Sequence, residues 1–213
     1  MDRCRAIWYW ADMDEIRVSH RTVYEANARR WDTERSRSLF EKPWLDRLLA
    51  HIPHGAAVLD LGCGTGEPIA RYLIESGCAV TGIDFSAEML SLARSRFPGG
   101  CWIEADMREL DLAERFSGII AWDSFFHLTR DEQREIIPRL ARHILPGGAM
   151  LLTVGPDDGE VLGQVGDHPV YHASLSPTEY ADRLASAGLS VVSFVPNDPD
   201  CGGHSVLFAV AAS

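Results

Sequence analysis

The stretch VLDLGCGTGEP, residues 58–68, joins an apolar strand pattern to a glycine-rich turn. Apolar residues around Asp60 are typical of a buried strand, and Gly62, Gly64 and Gly66 follow it. Glycine adopts positive φ angles and permits close backbone approach, so a strand, such a turn and a helix form a ligand site at the carboxyl end of a sheet. The free amides at the helix start can bind an anionic group. Alone, this pattern indicates a nucleotide-like ligand.

Outward from this turn, short apolar stretches alternate with helical ones. The predicted strands are Ala57–Leu61, Ala79–Ile83, Cys101–Glu104, Ser117–Trp122, Ala149–Val154, Ser190–Val195 and Ser205–Val210, and the predicted helices are 67–76, 86–96, 131–144 and 177–187. This alternation predicts an α/β fold, with a mostly parallel sheet covered by helices on both faces. Pro146-Gly147-Gly148 predicts a turn before the fifth strand.

The two ends of the chain depart from this alternation. Residues 20–52 have helical spacing, and Pro43 is expected to distort or interrupt the second helix there. Residues 1–19 form a predicted N-terminal tail or extension, and 156–176 a predicted insertion. The loop PNDPDCGGH, residues 196–204, favours an antiparallel hairpin between the last two strands, with a plain turn at its tip.

Composition narrows the class of protein. The 213 residues suit a single domain, over residues 20–213 after the tail. The formal charge of −11 and the lack of a Lys/Arg cluster argue against nucleic acid and anionic membranes as partners. No apolar run reaches the roughly 18 residues of a membrane helix, and no signal peptide is recognisable.

The five cysteines are widely spaced and form no CxxC pair, which indicates neither a zinc site nor a disulfide framework. Reduced thiols in a cytoplasmic protein are the expectation, with no metal bound.

Two further carboxylates sharpen the nature of the ligand. The glycines follow a G-x-G-x-G spacing, whereas dinucleotide-binding enzymes have G-x-G-x-x-G. Asp84 ends the next strand in VTGIDFS, where a carboxylate can accept hydrogen bonds from both ribose hydroxyls. Asp106 follows the third strand in EADM. So many acids disfavour a pyrophosphate ligand and suit a cationic ligand that carries a ribose.

These segments resemble the successive motifs of class I S-adenosylmethionine-dependent methyltransferases. The similarity rests on VLDLGCGTGEP, VTGIDFS and EADM and covers roughly residues 55–155. It implies a Rossmann-like sheet of seven strands in the order 3-2-1-4-5-7-6 with strand 7 antiparallel, and S-adenosylmethionine as the cofactor, with S-adenosylhomocysteine as its product. Residues 20–52 would then be a helical cover segment, and 156–176 would lie on the substrate side.

The resemblance also implies roles for individual residues. The three glycines would pass beneath the methionine part of the cofactor, with Asp60 orienting the loop or reaching the cofactor's amino group. Asp84 would bind the ribose. The remaining implied cofactor contacts are Phe85 beside the adenine, Asp106 and the Met107 amide on the adenine edge, Trp122 and Asp123 in the methyl-donor pocket, and Tyr24 and Trp31 in the cover segment.

The acceptor side is expected around two segments. In AWDSFFHL, Asp123 and His127 follow the fourth strand as candidate catalytic residues; His127 is either a general base or a packed histidine at a helix start. In GDHPVYHASL, His168, Tyr171 and His172 are candidate substrate contacts. The His168–His172 spacing also suits a metal site on a helix, but Pro169 argues against a regular helix there.

The favoured function is in-line methyl transfer to a small-molecule acceptor by a monomer or homodimer, and a general base is required only if the acceptor's proton is hard to lose. Trp122, Phe125, Phe126 and Tyr171 indicate an apolar or planar acceptor, or simply packing. Two alternatives are a nicotinamide-dependent oxidoreductase and a non-catalytic S-adenosylmethionine-binding partner subunit. Oxygen, nitrogen, sulfur and carbon acceptors all stay open.

Overall fold

The computed structural model describes Glu25, Asp32, Thr33 and residues 37–165 and 168–213, with Val165 and His168 described by their backbone alone. The predicted N-terminal extension lies outside the described residues. So does most of the predicted cover segment before residue 37, including the candidate cofactor contacts Tyr24 and Trp31.

Helices and strands alternate as the apolar pattern predicts. The helices are α1 (Lys42–His51), α2 (Ile69–Glu75), α3 (Ala87–Arg96), α4 (Arg130–His143) and α5 (Pro177–Ser186), and the strands are β1 (Ala57–Leu61), β2 (Ala79–Asp84), β3 (Cys101–Glu104), β4 (Phe116–Ala121), β5 (Ile144–Val154), β6 (Gly159–Val165), β7 (His168–Ser174), β8 (Leu189–Asp198) and β9 (His204–Ala211). Short 3₁₀ turns occupy Met107–Glu109, Phe125–His127 and Pro199–Cys201.

The main sheet of the described chain has seven strands in the order β3-β2-β1-β4-β5-β9-β8. Strands β1 to β5 pair in parallel, and β9 is antiparallel to both of its neighbours, β5 and β8. The predicted order and the antiparallel final hairpin are confirmed. The parallel strands bring the carboxyl ends of β1, β2, β3 and β4 to one edge, where ligands of open α/β sheets bind.

Two apolar layers bury the faces of this sheet. One packs Leu48 of α1, Leu73 of α2 and Leu90 of α3 against strand residues such as Val58, and all four are fully buried. The other packs side chains of α4 and α5 against the opposite face. Each fully buried aliphatic side chain contributes roughly 1.5–3 kcal/mol, so both faces fix the positions of the strand ends.

The expected interruption at Pro43 is confirmed: residues 37–41 are not helical, and α1 begins only at Lys42, with Pro43 in its first turn, where its missing N–H costs nothing because that group has no helical partner. One local prediction was wrong. Pro146–Gly148 do not form a turn before β5. That strand already begins at Ile144, and its pairing with β4 shifts register between the Phe116–Ile144 and Gly118–Ala149 pairs, as in a β-bulge.

The predicted insertion, residues 156–176, contains a two-stranded antiparallel sheet, β6–β7, that the sequence pattern did not indicate. Arg130 at the start of α4 joins Asp158 at 3.1 Å and Glu160 at 3.2 Å. Further along α4, the buried Gln133 amide donates to the Ala173 carbonyl at 2.8 Å. These contacts fix the β6–β7 hairpin to α4, beside the end of β4.

None of the described helices combines the length and the apolar character needed to cross a membrane.

Candidate active site

The glycine turn at residues 62–66 uses most of its backbone amides internally. The Gly62 and Cys63 amides both donate to the Ile83 carbonyl, at 2.8 and 3.1 Å. The Gly64 amide donates to Asp84 Oδ2 at 2.9 Å, and the Gly66 amide donates to the Cys63 carbonyl at 3.0 Å. The turn is therefore not the cradle of free amides that an anionic group needs.

Sterics explain two of the glycines. Gly62 has a φ of +73°, and a Cβ atom there would lie 2.3 Å from the Cβ of Ser124. The Ser124 hydroxyl donates to the Leu61 carbonyl at 2.7 Å, which fixes the β4–α4 loop against the turn. Gly66 has a φ of +78°, and its Cβ would meet Phe97 at 2.9 Å. Both glycines are needed for packing of the turn onto the protein.

Asp84 ends β2 and holds the turn in place. Its two oxygens accept the Gly64 and Ser86 amides, both at 2.9 Å. Burial raises the pKa of the Asp84 carboxyl, and these two amides oppose that rise. Ser86 caps α3 by accepting the Met89 amide at 3.2 Å, so Asp84 is not the helix cap. Phe85, between them, is half-buried.

The other predicted cofactor residues lie around the same turn. Asp60, in β1, is only 3% exposed. Asp106 caps the 3₁₀ turn after β3 and accepts the Arg108 amide and Nε, both at 2.9 Å. A Cβ on Gly62 would lie 3.6 Å from Met107 Cε, so the Met107 side chain adjoins the turn.

Four carboxylates thus lie in or just after four successive strands, at one edge of the sheet: Asp60, Asp84, Asp106 and Asp123. Such an edge repels a polyphosphate and attracts a cation. With the turn's amides engaged within the protein, the residues fit a positively charged ligand that carries a ribose, and S-adenosylmethionine has both properties.

Asp32 links the N-terminal part of the chain to the turn. It accepts the Thr65 hydroxyl at 3.0 Å and is held by both terminal nitrogens of Arg96 at 2.5 Å. The Arg96 guanidinium lowers the pKa of the Asp32 carboxyl. Sequence reasoning missed this contact, because the three residues are distant in the chain and each has an ordinary local context.

Asp123 is the second residue after the end of β4. Its backbone is left-handed, with a φ of +52°. Its amide donates to the buried Thr153 hydroxyl at 2.8 Å. Its Oδ1 accepts His204 Nε2 at 2.8 Å, across 81 positions of the chain. His204 begins β9, just after the hairpin tip, and its contact with Asp123 was not predicted. Its position at the start of a strand antiparallel to β5, hence at the same sheet edge, was the available signal.

Aromatic rings flank His204. Its ring stacks on Phe40 at a centroid distance of 5.3 Å and packs on Trp122 at 5.6 Å. Trp122 is 3% exposed in the apolar layer, and its indole nitrogen has no hydrogen-bond partner among the described residues.

A second group of rings joins the 3₁₀ turn after β4 to the β6–β7 hairpin. His172 packs on Phe126 at 4.5 Å and on His127 at 4.9 Å. His127 Nδ1 lies 3.1 Å from the Tyr171 carbonyl, so the proton of neutral His127 is on Nδ1. Burial lowers the pKa of His172, and the charge of Asp123 opposes that.

Some aromatic residues of this region pack in the core, and one borders the candidate active site. Phe125 is fully buried in the core and Tyr171 is 4% exposed, so packing explains both rings. Phe126 is half-buried, beside the two histidines.

The described residues do not favour a metal site or a reactive thiol. Among them, no three His, Cys, Asp or Glu side chains are grouped as metal ligands. His168 and His172 lie on one strand, and at about 3.3 Å per residue their backbones are about 13 Å apart, too far to share an ion. Burial raises the pKa of the Cys63 thiol in the turn well above its usual range, so it stays protonated.

Comparison with known proteins agrees with this geometry. Residues 58–148 match the family described as a methyltransferase domain. The chain is 36% identical over 104 residues to a dTDP-3-amino-3,6-dideoxy-α-D-glucopyranose N,N-dimethyltransferase of Streptomyces fradiae. The matched region covers 48% of this chain and 40% of the relative. It is 34% identical over 110 residues to a malonyl-[acyl-carrier protein] O-methyltransferase of Enterobacter lignolyticus, covering 51% of this chain and 43% of the relative.

A solved structure with the same fold is that of CalS10, an amino pentose methyltransferase from Micromonospora echinaspora with bound S-adenosylmethionine. The TM-score is 0.68 at 23% identity, over 89% of this chain and 97% of the other. Against the two curated relatives above, the chain matches less than half of their length.

Proposed function

The chain has the fold and the central domain of the class I S-adenosylmethionine-dependent methyltransferases, and on that premise we propose that it transfers a methyl group from S-adenosylmethionine to a small-molecule acceptor. One observation carries the proposal: four carboxylates line the sheet edge around a glycine turn whose amides are largely engaged within the protein. That arrangement suits a cationic nucleoside and opposes an anionic one.

The donor side is built by the turn and the strand ends. The Asp84 carboxylate would bind the ribose hydroxyls with lone pairs that its two amide contacts leave over, since each carboxylate oxygen accepts more than one hydrogen bond. Asp60 would support the turn from β1, and Asp106 and Met107 would meet the adenine. Tyr24, Trp31, Gly62, Gly64, Gly66, Phe85 and Trp122 complete the proposed cofactor contacts.

The bound cofactor would supply an electrophilic methyl group on a sulfonium, so the protein's own task is alignment and exclusion of water. On the acceptor side, Asp123, His127 and His172 would border the acceptor, and the contacts of Asp123 with His204 and of His127 with His172 support this. His127 Nε2, opposite the nitrogen that faces Tyr171, would take the proton that the acceptor loses. His168 and Tyr171 would contribute to the wall of the hairpin.

We propose an amine as the acceptor. The N,N-dimethyltransferase of Streptomyces fradiae, by its name, acts on the amino group of a nucleotide-linked sugar. The acid-rich edge around Asp123 suits a basic group better than a carboxylate, such as the one that a malonyl O-methyltransferase would have to bind.

Two experiments test the proposal. Calorimetry should detect S-adenosylmethionine and S-adenosylhomocysteine binding at micromolar concentration. Mass spectrometry should then show a mass gain of one methyl, and then of a second, on dTDP-3-amino-3,6-dideoxy-α-D-glucopyranose, with the matching 3-hydroxy sugar nucleotide as a control. A chain that binds neither cofactor form would exclude methyl transfer. Methylation of the hydroxyl control alone would exclude the amine.

The two alternatives make different predictions. A nicotinamide-dependent oxidoreductase needs turn amides for a pyrophosphate, and those of Gly62, Cys63, Gly64 and Gly66 are engaged elsewhere; saturable NADH fluorescence would support it. A non-catalytic partner subunit would bind the cofactor yet methylate nothing alone. Analytical ultracentrifugation of an active monomer or homodimer would argue against it.

We also propose a cytoplasmic location with no nucleic-acid or membrane partner. The net charge of −11 and the free thiols of Cys63, Cys78, Cys101 and Cys201 support it.

A further inference from the structure

His204 is held on both ring nitrogens and both ring faces. Its Nε2 donates to Asp123 Oδ1 at 2.8 Å, and its Nδ1 donates to the Cys201 carbonyl at 2.8 Å. Phe40 and Trp122 lie against the ring. The side chain is 24% exposed, so this histidine is neither a surface residue nor a core residue.

Both nitrogens of His204 face acceptors, which only the doubly protonated imidazolium satisfies fully. The charged and titratable groups that act on it come from three elements: Asp123 after β4, Glu41 before α1, and Cys201 in the turn before β9. The hydrogen bond to Asp123 raises the pKa of His204, and the Glu41 charge adds to that rise. The positive ring in turn favours the ionised form of Asp123.

The backbone of Asp123, the partner of His204, is also held in place. Its backbone has a φ of +52°, a conformation that Asp tolerates better than most residues, and the Thr153 hydroxyl holds its amide at 2.8 Å. Its charge acts on His172 of the β6–β7 hairpin as well as on His204. The side chain is 21% exposed at the productive edge of the sheet.

We propose that His204 is a positioning residue that keeps the Asp123 carboxylate ionised and directed toward the acceptor amine. The proposal rests on the proposed function. An ionised carboxylate accepts hydrogen bonds only, so it selects an acceptor that presents N–H groups and orients the nitrogen lone pair. A protonated or rotated Asp123 would do neither.

Two variants of His204 test this role. His204→Phe keeps a ring between Phe40 and Trp122 but removes the donor and the charge. His204→Gln keeps a donor near the position of Nε2 and does not titrate. The control is His51→Phe, because His51 is an exposed residue of α1 that packs edge-on to Phe208, away from the acceptor side.

With dTDP-3-amino-3,6-dideoxy-α-D-glucopyranose as the probe, His204→Phe should lower kcat/KM about tenfold to a hundredfold, as expected for loss of a charge-assisted hydrogen bond. Cofactor affinity should stay within about threefold, and His204→Gln should recover most of the activity. The kcat/KM of wild type should fall as pH rises through the raised pKa of His204, and both variants should lack that limb. The His51→Phe control should match wild type.

A wild-type activity with the same pH profile in His204→Phe would overturn the positioning role and leave the methyltransferase proposal standing. A wild type that binds no cofactor overturns the proposed function and this role with it. NMR titration of the His204 ring gives a readout without any acceptor. The pKa should lie above its ordinary value in wild type and drop in Asp123→Asn; an unshifted wild-type value would contradict the pair.

Discussion

Gly62 lies so close to Ser124 that a Cβ atom on residue 62 would be 2.3 Å from the Ser124 Cβ. Gly62→Ala therefore adds a steric overlap to the cost of a positive φ. Overlaps of this kind cost about 1–3 kcal/mol. Urea unfolding should show the loss of stability.

Gly55 provides a matched control, because its φ of +76° is nearly that of Gly62 but no atom would lie within 4 Å of a Cβ added there. Gly55→Ala should cost only the backbone strain, about 1–2 kcal/mol. Adding Ser124→Gly to Gly62→Ala should restore part of the stability. Equal losses in Gly55→Ala and Gly62→Ala would show that Ser124 does not limit residue 62.

Asp84→Asn should weaken cofactor binding about tenfold to a hundredfold, because the proposed charged hydrogen-bond acceptor for the ribose becomes an amide. Asp182→Asn, at an exposed position of α5, is the control. Calorimetry measures both. Unchanged affinity in Asp84→Asn would remove this residue from the cofactor site.

The Asp123–His204 pair should stabilise the fold in a pH-dependent way. The folded-state pKa of His204 is raised above 6.5, so the stabilisation is fully present below pH 6.5 and disappears as pH rises through the raised value. A double-mutant cycle with Asp123→Asn and His204→Gln should give a coupling of about 1–2 kcal/mol at pH 6. Coupling that grows with pH would have the wrong sign for this pair.

The Asp32–Arg96 contact should stabilise the fold at neutral pH and fail in acid. The pKa of Asp32 is lowered below 3.8 by Arg96, so the stabilisation is present above pH 3.8 and is lost as pH falls through the lowered value. A cycle with Asp32→Asn and Arg96→Gln should give a coupling of about 1–2 kcal/mol. The exposed Lys42–Asp46 pair is the control, and its coupling should be too small to measure.

His127→Asn should lower kcat about a hundredfold if the ring takes the acceptor's proton, while cofactor affinity stays unchanged. His54→Asn is the control, because His54 precedes β1 and lies beside Gly77, at the amino end of the strands. Rapid-quench measurement of methyl transfer separates the chemical step from product release. A small effect on that step would leave alignment as the main task of the site.

Sequence reasoning was informative where local pattern decides the structure. Neighbouring residues determine the strand Ala57–Leu61, the glycine turn and the helix capped by Ser86. The length of the apolar stretch in β2 likewise places Asp84 at the end of that strand. The strand pattern indicated a mostly parallel sheet, whereas the order of its strands was implied by the family resemblance.

The acceptor side depends on contacts that no local pattern encodes. The Asp123–His204 pair joins residues 81 positions apart, and the Asp32–Arg96 pair joins residues 64 positions apart. The β6–β7 hairpin has histidine, proline and glycine at positions where an ordinary strand has branched apolar residues, because it packs on a 3₁₀ turn and not inside a sheet.

The position of β9 between β5 and β8 also has a consequence for biosynthesis. Strand β8 is made first but contacts the sheet through β9, so neither strand can join until His204–Ala211 have left the ribosome. Until then the β5 edge lacks its partner and is exposed to pairing with another nascent chain. Ribosome-bound chains stalled before residue 204 should be sensitive to protease and bind chaperones, and release of the last strand should end both properties together.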